Sequence, residues 1–441
     1  MITYTFLSRK IRGFYEENTR SFFAFFFWLL SSQNNVFAKE VLSLKELIVI
    51  GLKNNPQIQV AIKSKESSIF YKDYVRSGFF PFLYLKYEFD RKDPGKGLPN
   101  QEVHSFGPYL NWNVFSSFST WYSYQEALKL ISAQDFMVKK TMLDVSLNII
   151  QAYLEYFKQK ALYEAALVDL EDAKTLLRLA KKKYEVGLSP YADVLDAEAK
   201  VKQAEFNVTN YKYTADIAKA KVLTLINYDV LKVEEIEFLP LDEKNIEIKD
   251  LNFYLKTALE KRPEVKAKEN EVLAQEDRVK SIKGKFGPTV DLFSSYYQVD
   301  DKFFPDKQNE FTAGFRITLP IFTGFQRIAE LNKEKTGLEQ KKLEKLNTEL
   351  QIKQEVFTSY KNYQTAKENF ESALAWLKSM EEDYRIVQKK YETGLASIVD
   401  VTTLLARLSE ARSKVAVSKY NLIYSFYELY RMTGVIPELD L

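Results

Sequence analysis

The chain has 441 residues, 46% hydrophobic and 28% charged, with 63 Lys and Arg against 60 Asp and Glu and no cysteine. The missing cysteine excludes disulfides, thiolate metal sites and a lipid-bearing N-terminal cysteine. The near-balanced charge does not indicate a basic partner-binding surface, and no nucleic acid is expected as a partner.

Residues 1–38 have the layout of a signal peptide. Arg9, Lys10, Arg12 and Arg20 precede the apolar run Phe22 to Leu30, and Val36-Phe37-Ala38 offers small residues at a cleavage site. That run is about half the ~20 residues a spanning helix needs. Its removal leaves 59 basic against 58 acidic residues. No later segment approaches a spanning helix in length, so membrane residence after export would require a β-barrel.

A helical pattern from Leu44 to Leu52 is interrupted at Asn54-Asn55-Pro56 and resumes to about Ser77. The same order returns 207 residues later: Leu251 to Leu259, then Lys261-Arg262-Pro263, then a helical run to about Gly284. Phe80-Pro81 and Gly287-Pro288 end the two runs at that offset, because the residue before proline disfavours the α region.

After these prolines the period changes from helical to alternating. Leu83, Leu85, Tyr87 and Phe89 share one face, and Lys86, Glu88 and Asp90 the other. The expected strands are 82–90 and 103–115 in the first repeat and 289–298 and 310–322 in the second. Each is about the 9–11 residues that cross a bilayer when tilted. Four strands cannot close a barrel whose bacterial minimum is about eight, so strands that span a membrane require several chains. A dimer's eight would leave an interior filled by side chains, and twelve strands from three chains make the smallest useful pore.

Long helices are expected at 117–184 and 325–391. The first has no internal proline or glycine and the second only Gly337. Each leads to a short tip. The first tip, 185–193, follows Tyr184 and runs through Gly187 to Asp193; the second, 392–400, follows Tyr391 and runs through Gly394 to Asp400. Past each tip heptads are sustained, as in Val194, Ala197, Val201, Ala204 and Val401, Leu404, Leu408, Ala411, which implies packed, supercoiled helices. Helix lengths at 1.5 Å per residue let two shorter helices, end to end, run alongside one long helix. The expected division is repeat 1 over 39–228, an equatorial linker over 229–250 with a short strand at Ile236 to Leu239, and repeat 2 over 251–441. The fold class is mostly α, in two tandem repeats of helix, β-hairpin, long helix, tip and helix.

This layout resembles the TolC-type family of outer-membrane efflux and secretion channels over nearly the whole mature chain. The paired tips, the Ile317 to Gly324 stretch and the duplicated element order carry the resemblance. It implies a homotrimer with a twelve-stranded β-barrel in outer-membrane lipid and an α-helical tunnel in the periplasm. It also implies a periplasmic adaptor (membrane fusion protein) and an inner-membrane pump as partners, in a tripartite efflux pump or a type I secretion system. The chain would be a passive exit duct gated at its tips. A soluble periplasmic coiled-coil adaptor or scaffold without a pore is the other reading.

The resemblance further implies a closed entrance held between the two tips. Asp193 matches the family's gate aspartate and Tyr391 its tyrosine, whereas the arginine position is Ala396, so Lys389 and Lys390 become the substitutes to test. Asp400 matches a pore carboxylate, and Asp196 is the first-repeat counterpart of a second. The same residues have a helix-end reading. Ser397 to Asp400 fits a capping box, Ser189-Pro190 a cap and first-turn proline, and Gly187 and Gly394 the left-handed exit residue. His104 is the single histidine, so no metal or other cofactor is expected, and no nucleophile-base motif or phosphate loop points to an enzyme.

Overall fold

The structure, a computed structural model, describes residues 40–92, 101–241 and 248–436. The expected signal peptide lies outside the described residues. The chain divides into two units by contact. In the smaller, strand β1 (Glu40–Leu42) pairs in parallel with β4 (Ile236–Phe238). The sequence anticipates β4 but not its partner.

The larger unit is built from two copies of one element order. Helices α1 (Leu44–Asn54) and α2 (Pro56–Ser77) lead to strands β2 (Phe82–Lys92) and β3 (Gln101–Phe115), the long helix α3 (Ser119–Glu185) and then α4 (Tyr191–Leu225). The second copy runs α5 (Leu251–Lys261), α6 (Pro263–Gly284), β5 (Thr289–Asp300), β6 (Gln308–Thr318), α7 (Gln326–Glu392) and α8 (Ile398–Met432). Both long helices have 67 residues. The expected strand over 310–322 stops at Thr318, because Pro320 cannot donate to the ladder.

Proline also sets the breaks between the paired short helices. Asn55 and Arg262 are held extended, at ψ 127° and 129°, by the prolines that follow them. Asn55 accepts from the Gln57 amide at 2.8 Å and donates its side-chain amide to the Leu225 carbonyl at 2.7 Å. One repeat later, Arg262 reaches Met432 at 3.8 Å. Both contacts join the start of one helix to the C-terminus of another at equivalent positions, which is the end-to-end stacking that the helix lengths imply.

The long helices are the spines against which the others pack. Helix α3 contacts α2, α4, α6 and α8, and α7 contacts α6 and α8. Along α3, Lys65 of α2 meets Asp135 at 2.7 Å, and farther down Thr214 of α4 meets Gln159 at 3.1 Å. The heptad positions of α4 are inside: Val194, Ala197, Val201, Ala204, Ala215, Ala218 and Val222 are all buried. At the tips Val194, Ala197, Val201 and Ala204 join Leu176 and Ala180 of α3, Tyr384 and Tyr391 of α7, and Val401 and Leu404 of α8 in one apolar cluster. Burying aliphatic side chains of this size contributes about 1.5–3 kcal/mol each.

Strand passes to helix through a left-handed corner in both copies. Ser117 and Phe118 have φ of 50° and 64°, and Gly324 and Phe325 have 61° and 65°. An aromatic residue in this region is strained, so its recurrence at equivalent positions marks a corner that the packing enforces.

Candidate functional site

The four long strands form one antiparallel sheet in the order β2-β3-β5-β6. Its register carries the alternation across all four. Leu83, Leu110, Ser294 and Ala313 lie in one row, and Trp112, Leu292 and Phe315 in another. The opposite face holds Asn113, Asp291 and Arg316 in one row and Tyr109, Ser295 and Thr312 in another. Asn113 donates to Asp291 at 2.8 Å, and the Arg316 guanidinium lies 5.3 Å from the Phe293 ring. One face is therefore mostly apolar and the other polar.

Aromatic groups band both ends of the sheet. Tyr87, Phe89, His104 and Phe303 form a cluster with ring centroids 4.7–6.4 Å apart at the loop end. Phe115 with Phe118 and Phe322 with Phe325 form edge-on pairs at the helix end. Leu83, Leu85, Phe311, Phe315 and Ile317 are each more than 60% exposed, so the apolar face is uncovered within one chain. Such a surface needs an apolar medium or a partner.

The tips are built by helix-end chemistry. Gly187 and Gly394 have φ of +77° and +80°, a conformation that strains any residue with a Cβ. At each, the chain closes with paired bonds: the Gly187 amide to the Tyr184 carbonyl at 2.9 Å and the Leu188 amide to Lys183 at 2.7 Å. The second tip repeats them from Gly394 to Tyr391 at 3.1 Å and from Leu395 to Lys390 at 2.7 Å. These are Schellman motifs, and they satisfy carbonyls that the helix end leaves orphaned.

Where the next helices begin, the two tips differ. Ser397 and Asp400 form a complete capping box. The Asp400 amide donates to the Ser397 hydroxyl at 3.2 Å, and the Ser397 amide to the Asp400 carboxylate at 2.9 Å. Those bonds from the Ser397 backbone and hydroxyl hold the Asp400 carboxyl below its ordinary range. In the first tip, Pro190 occupies the cap position and provides no side-chain bond. The expectation of Ser189 as the cap and Pro190 as a first-turn residue is thus corrected: the helix starts one residue later, at Tyr191. The Ser189 hydroxyl is buried without a hydrogen-bond partner.

Asp193 sits in the first turn of α4, half-buried, and among the described residues its carboxylate has neither hydrogen bond nor ion pair. Tyr391 is 3% exposed, and its hydroxyl is buried with no partner. Burial pushes that hydroxyl's pKa up, and the nearby Asp193 charge adds to the shift. Asp193 thus lies near enough for its charge to act on the Tyr391 hydroxyl, with no hydrogen bond between them. Asp196 and Asp400 are exposed. Tyr184, the counterpart of Tyr391, is 47% exposed and packs on Tyr191 at 5.3 Å between ring centroids.

Lys389 and Lys390 are exposed, and Ala396 packs against the tip core. A lysine the sequence reading passed over is inside instead. Lys183 is 9% exposed; it donates to the Tyr391 carbonyl and lies 4.6 Å from the centre of the Tyr391 ring. A signal for it existed, since Ala173, Leu176, Ala180 and Lys183 continue one buried helical stripe.

A sheet with one polar and one apolar face, aromatic bands at both ends, open edges and long helices leaving one end defines a membrane β-strand protein with a helical extension. Among the described residues no helix is long and apolar enough to cross a membrane, and no cluster of His, Asp and Glu could hold a metal ion. The profile of the Outer membrane efflux protein family matches residues 47–227 and 254–435, and the chain belongs to that family.

Protein CyaE of Bordetella pertussis is 21% identical over 381 residues, covering 85% of this chain and 80% of that one. Outer membrane protein TolC of Vibrio cholerae is 22% identical over 413 residues, covering 90% and 92%. The CmeC outer membrane channel of Campylobacter jejuni superposes with a TM-score of 0.76 at 17% identity, covering 89% of this chain and 85% of that one. The protein is accordingly an outer-membrane channel component, the exit duct of a tripartite pump, and not an enzyme.

Proposed function

We propose that the chain works as a homotrimer whose three sheets close a twelve-stranded barrel in outer-membrane lipid, with the helices continuing as a periplasmic tunnel. The observation that supports this is the sheet itself: four antiparallel strands with both edges, β2 and β6, unpaired within the chain. Unpaired edges are an open template for another chain. Strand directions alternate, so β6 of one copy can meet β2 of the next antiparallel and continue the ladder. The apolar rows then face lipid and the Asn113, Asp291, Arg316 row faces the lumen.

In this reading residues 1–38 are removed on export, repeats 39–228 and 251–441 flank an equatorial linker at 229–250, and tips 185–193 and 392–400 form the periplasmic end. There they meet a periplasmic adaptor and, through it, an inner-membrane pump of the efflux or type I secretion kind. The closed entrance is held by hydrogen bonding and packing around Asp193 and Tyr391 rather than by a salt bridge. The Asp193 carboxylate, without an ion pair among the described residues, supports the missing salt bridge, and the burial of Tyr391 in the tip cluster supports the packing. Asp400 and Asp196, exposed at the tips, form carboxylate rings that favour cations.

Single-channel conductance of the purified trimer tests both parts. Asp193→Ala is expected to raise open probability; unchanged conductance and open probability would sink the gate role. A wild-type reversal potential showing equal cation and anion permeability would remove the carboxylate rings.

A further inference from the structure

We propose that Lys183 is the positioning residue of the entrance, a latch thrown from the first tip onto the second. The inference rests on the conduit reading and goes beyond the Asp193 and Tyr391 pair. An ammonium buried without a carboxylate is costly unless other groups take its charge. Among the described residues Lys183 has no ion pair. It has the Tyr391 carbonyl and the face of the Tyr391 ring.

That carbonyl lies in the last turn of α7, where backbone carbonyls carry the negative end of the helix dipole. It also accepts the Gly394 amide at 3.1 Å. Lys183 is thus a cap on α7 supplied by α3, at 208 residues' separation. It fixes both the backbone and the ring plane of Tyr391.

The latch runs one way. Lys390, the repeat counterpart of Lys183, is exposed, and Tyr184, the counterpart of Tyr391, is outside the core. The buried stripe of α3 ends on Lys183, whereas that of α7 passes through Tyr384 to Tyr391. The two long helices therefore enter the tip rotated by one residue relative to each other. This rotation is what puts a lysine opposite a tyrosine.

Conductance of the reconstituted full-length trimer tests the proposal. Lys183→Met keeps the apolar stem and removes the charge. It is expected to raise open probability roughly tenfold, equivalent to about 1.4 kcal/mol, with thermal stability near wild type. Lys183→Arg is expected to restore closure, and Lys390→Met to change nothing. Wild-type gating from an assembled Lys183→Met trimer overturns the latch.

Should that variant fail to assemble, amine acylation of the wild-type trimer read by mass spectrometry decides instead. Lys183 is expected to be protected relative to Lys390 in the closed channel and to gain labelling in Asp193→Ala. Equal labelling of the two lysines in closed wild type overturns the proposal. A wild-type trimer that passes no current counts against the conduit, and the labelling comparison still decides on Lys183.

Discussion

Asp193 and Asp400 hold the same place in two copies of one motif, yet only Asp400 is tied into a helix cap. One residue makes the difference: Ser397 supplies the capping hydroxyl, and Pro190 at the equivalent position supplies none. Ser397→Ala is expected to cost ~1 kcal/mol in denaturant unfolding of the detergent-solubilised protein. Pro190→Ser offers Asp193 the same box and so ties its carboxylate to the helix end. A rise in open probability is the expected result, and gating unchanged by Pro190→Ser would argue that Asp193 acts only through the helix end.

The residue scale also marks where local reading fell short. Asp193, Tyr391 and the two glycines could be found from spacing, because turn chemistry is local and repeats at a fixed offset. Lys183 sits in a run of three lysines that suits any helix C-terminus. Only the stripe through Ala173, Leu176 and Ala180 distinguishes it from Lys181 and Lys182.

Among the elements, the junction of short and long helices is held by charge as well as packing. Arg431 of α8, 5% exposed, bonds Asp144 of α3 and, at 2.9 Å, Glu264 of α6. Arg262 meets Glu264 at 2.8 Å and Glu355 of α7 at 2.6 Å. Arg431→Met leaves Asp144 to Lys140 and Glu264 to Arg262, each with one cation instead of two. A loss of about 1.5–3 kcal/mol is expected on denaturant unfolding.

Burial works to raise the Glu264 pKa, but bonding from Arg262 and the charges of Arg262 and Arg431 outweigh it and hold it at about 2. Because that value lies below the ordinary 4.5, the stabilisation is complete above pH 4.5 and is lost as pH falls toward 2. Wild type is therefore expected to lose stability over that window more steeply than Glu264→Gln, measured by unfolding midpoint against pH. Glu126 contributes with the opposite sign, since burial raises its pKa against the pull of Arg278.

Nearer the tips, Arg412 of α8 clasps Asp169 and Asp172 of α3 at 2.5 and 2.8 Å. Arg412→Ala removes charged hydrogen bonds worth about 1.5–3 kcal/mol and leaves two aspartates side by side. Lower unfolding midpoints are the expected reading. A midpoint equal to wild type would show that the apolar cluster alone holds the two hairpins together.

For the whole molecule, the uncovered apolar rows of the sheet demand lipid and the open edges demand neighbours. The protein is expected to stay with membranes through high-salt and urea washes and to need detergent for release. It should then migrate as a trimer in cross-linking and light-scattering measurements. Free release by salt would restore the pore-free scaffold reading.

Chain composition, the 207-residue offset and the change of period were enough for the two-repeat, mostly helical architecture with a pair of β-hairpins. Those signals are local: proline breaks, alternation and heptads act within a few residues of one another. The pairing of β1 with β4 and the burial of Lys183 beneath Tyr391 depend on which face each helix or strand turns to a distant partner. That orientation is set by packing between segments up to about two hundred residues apart, and a one-residue rotation of a helix leaves no mark on its composition. The two tips therefore emerge from the fold as asymmetric ends built from a nearly symmetric duplication.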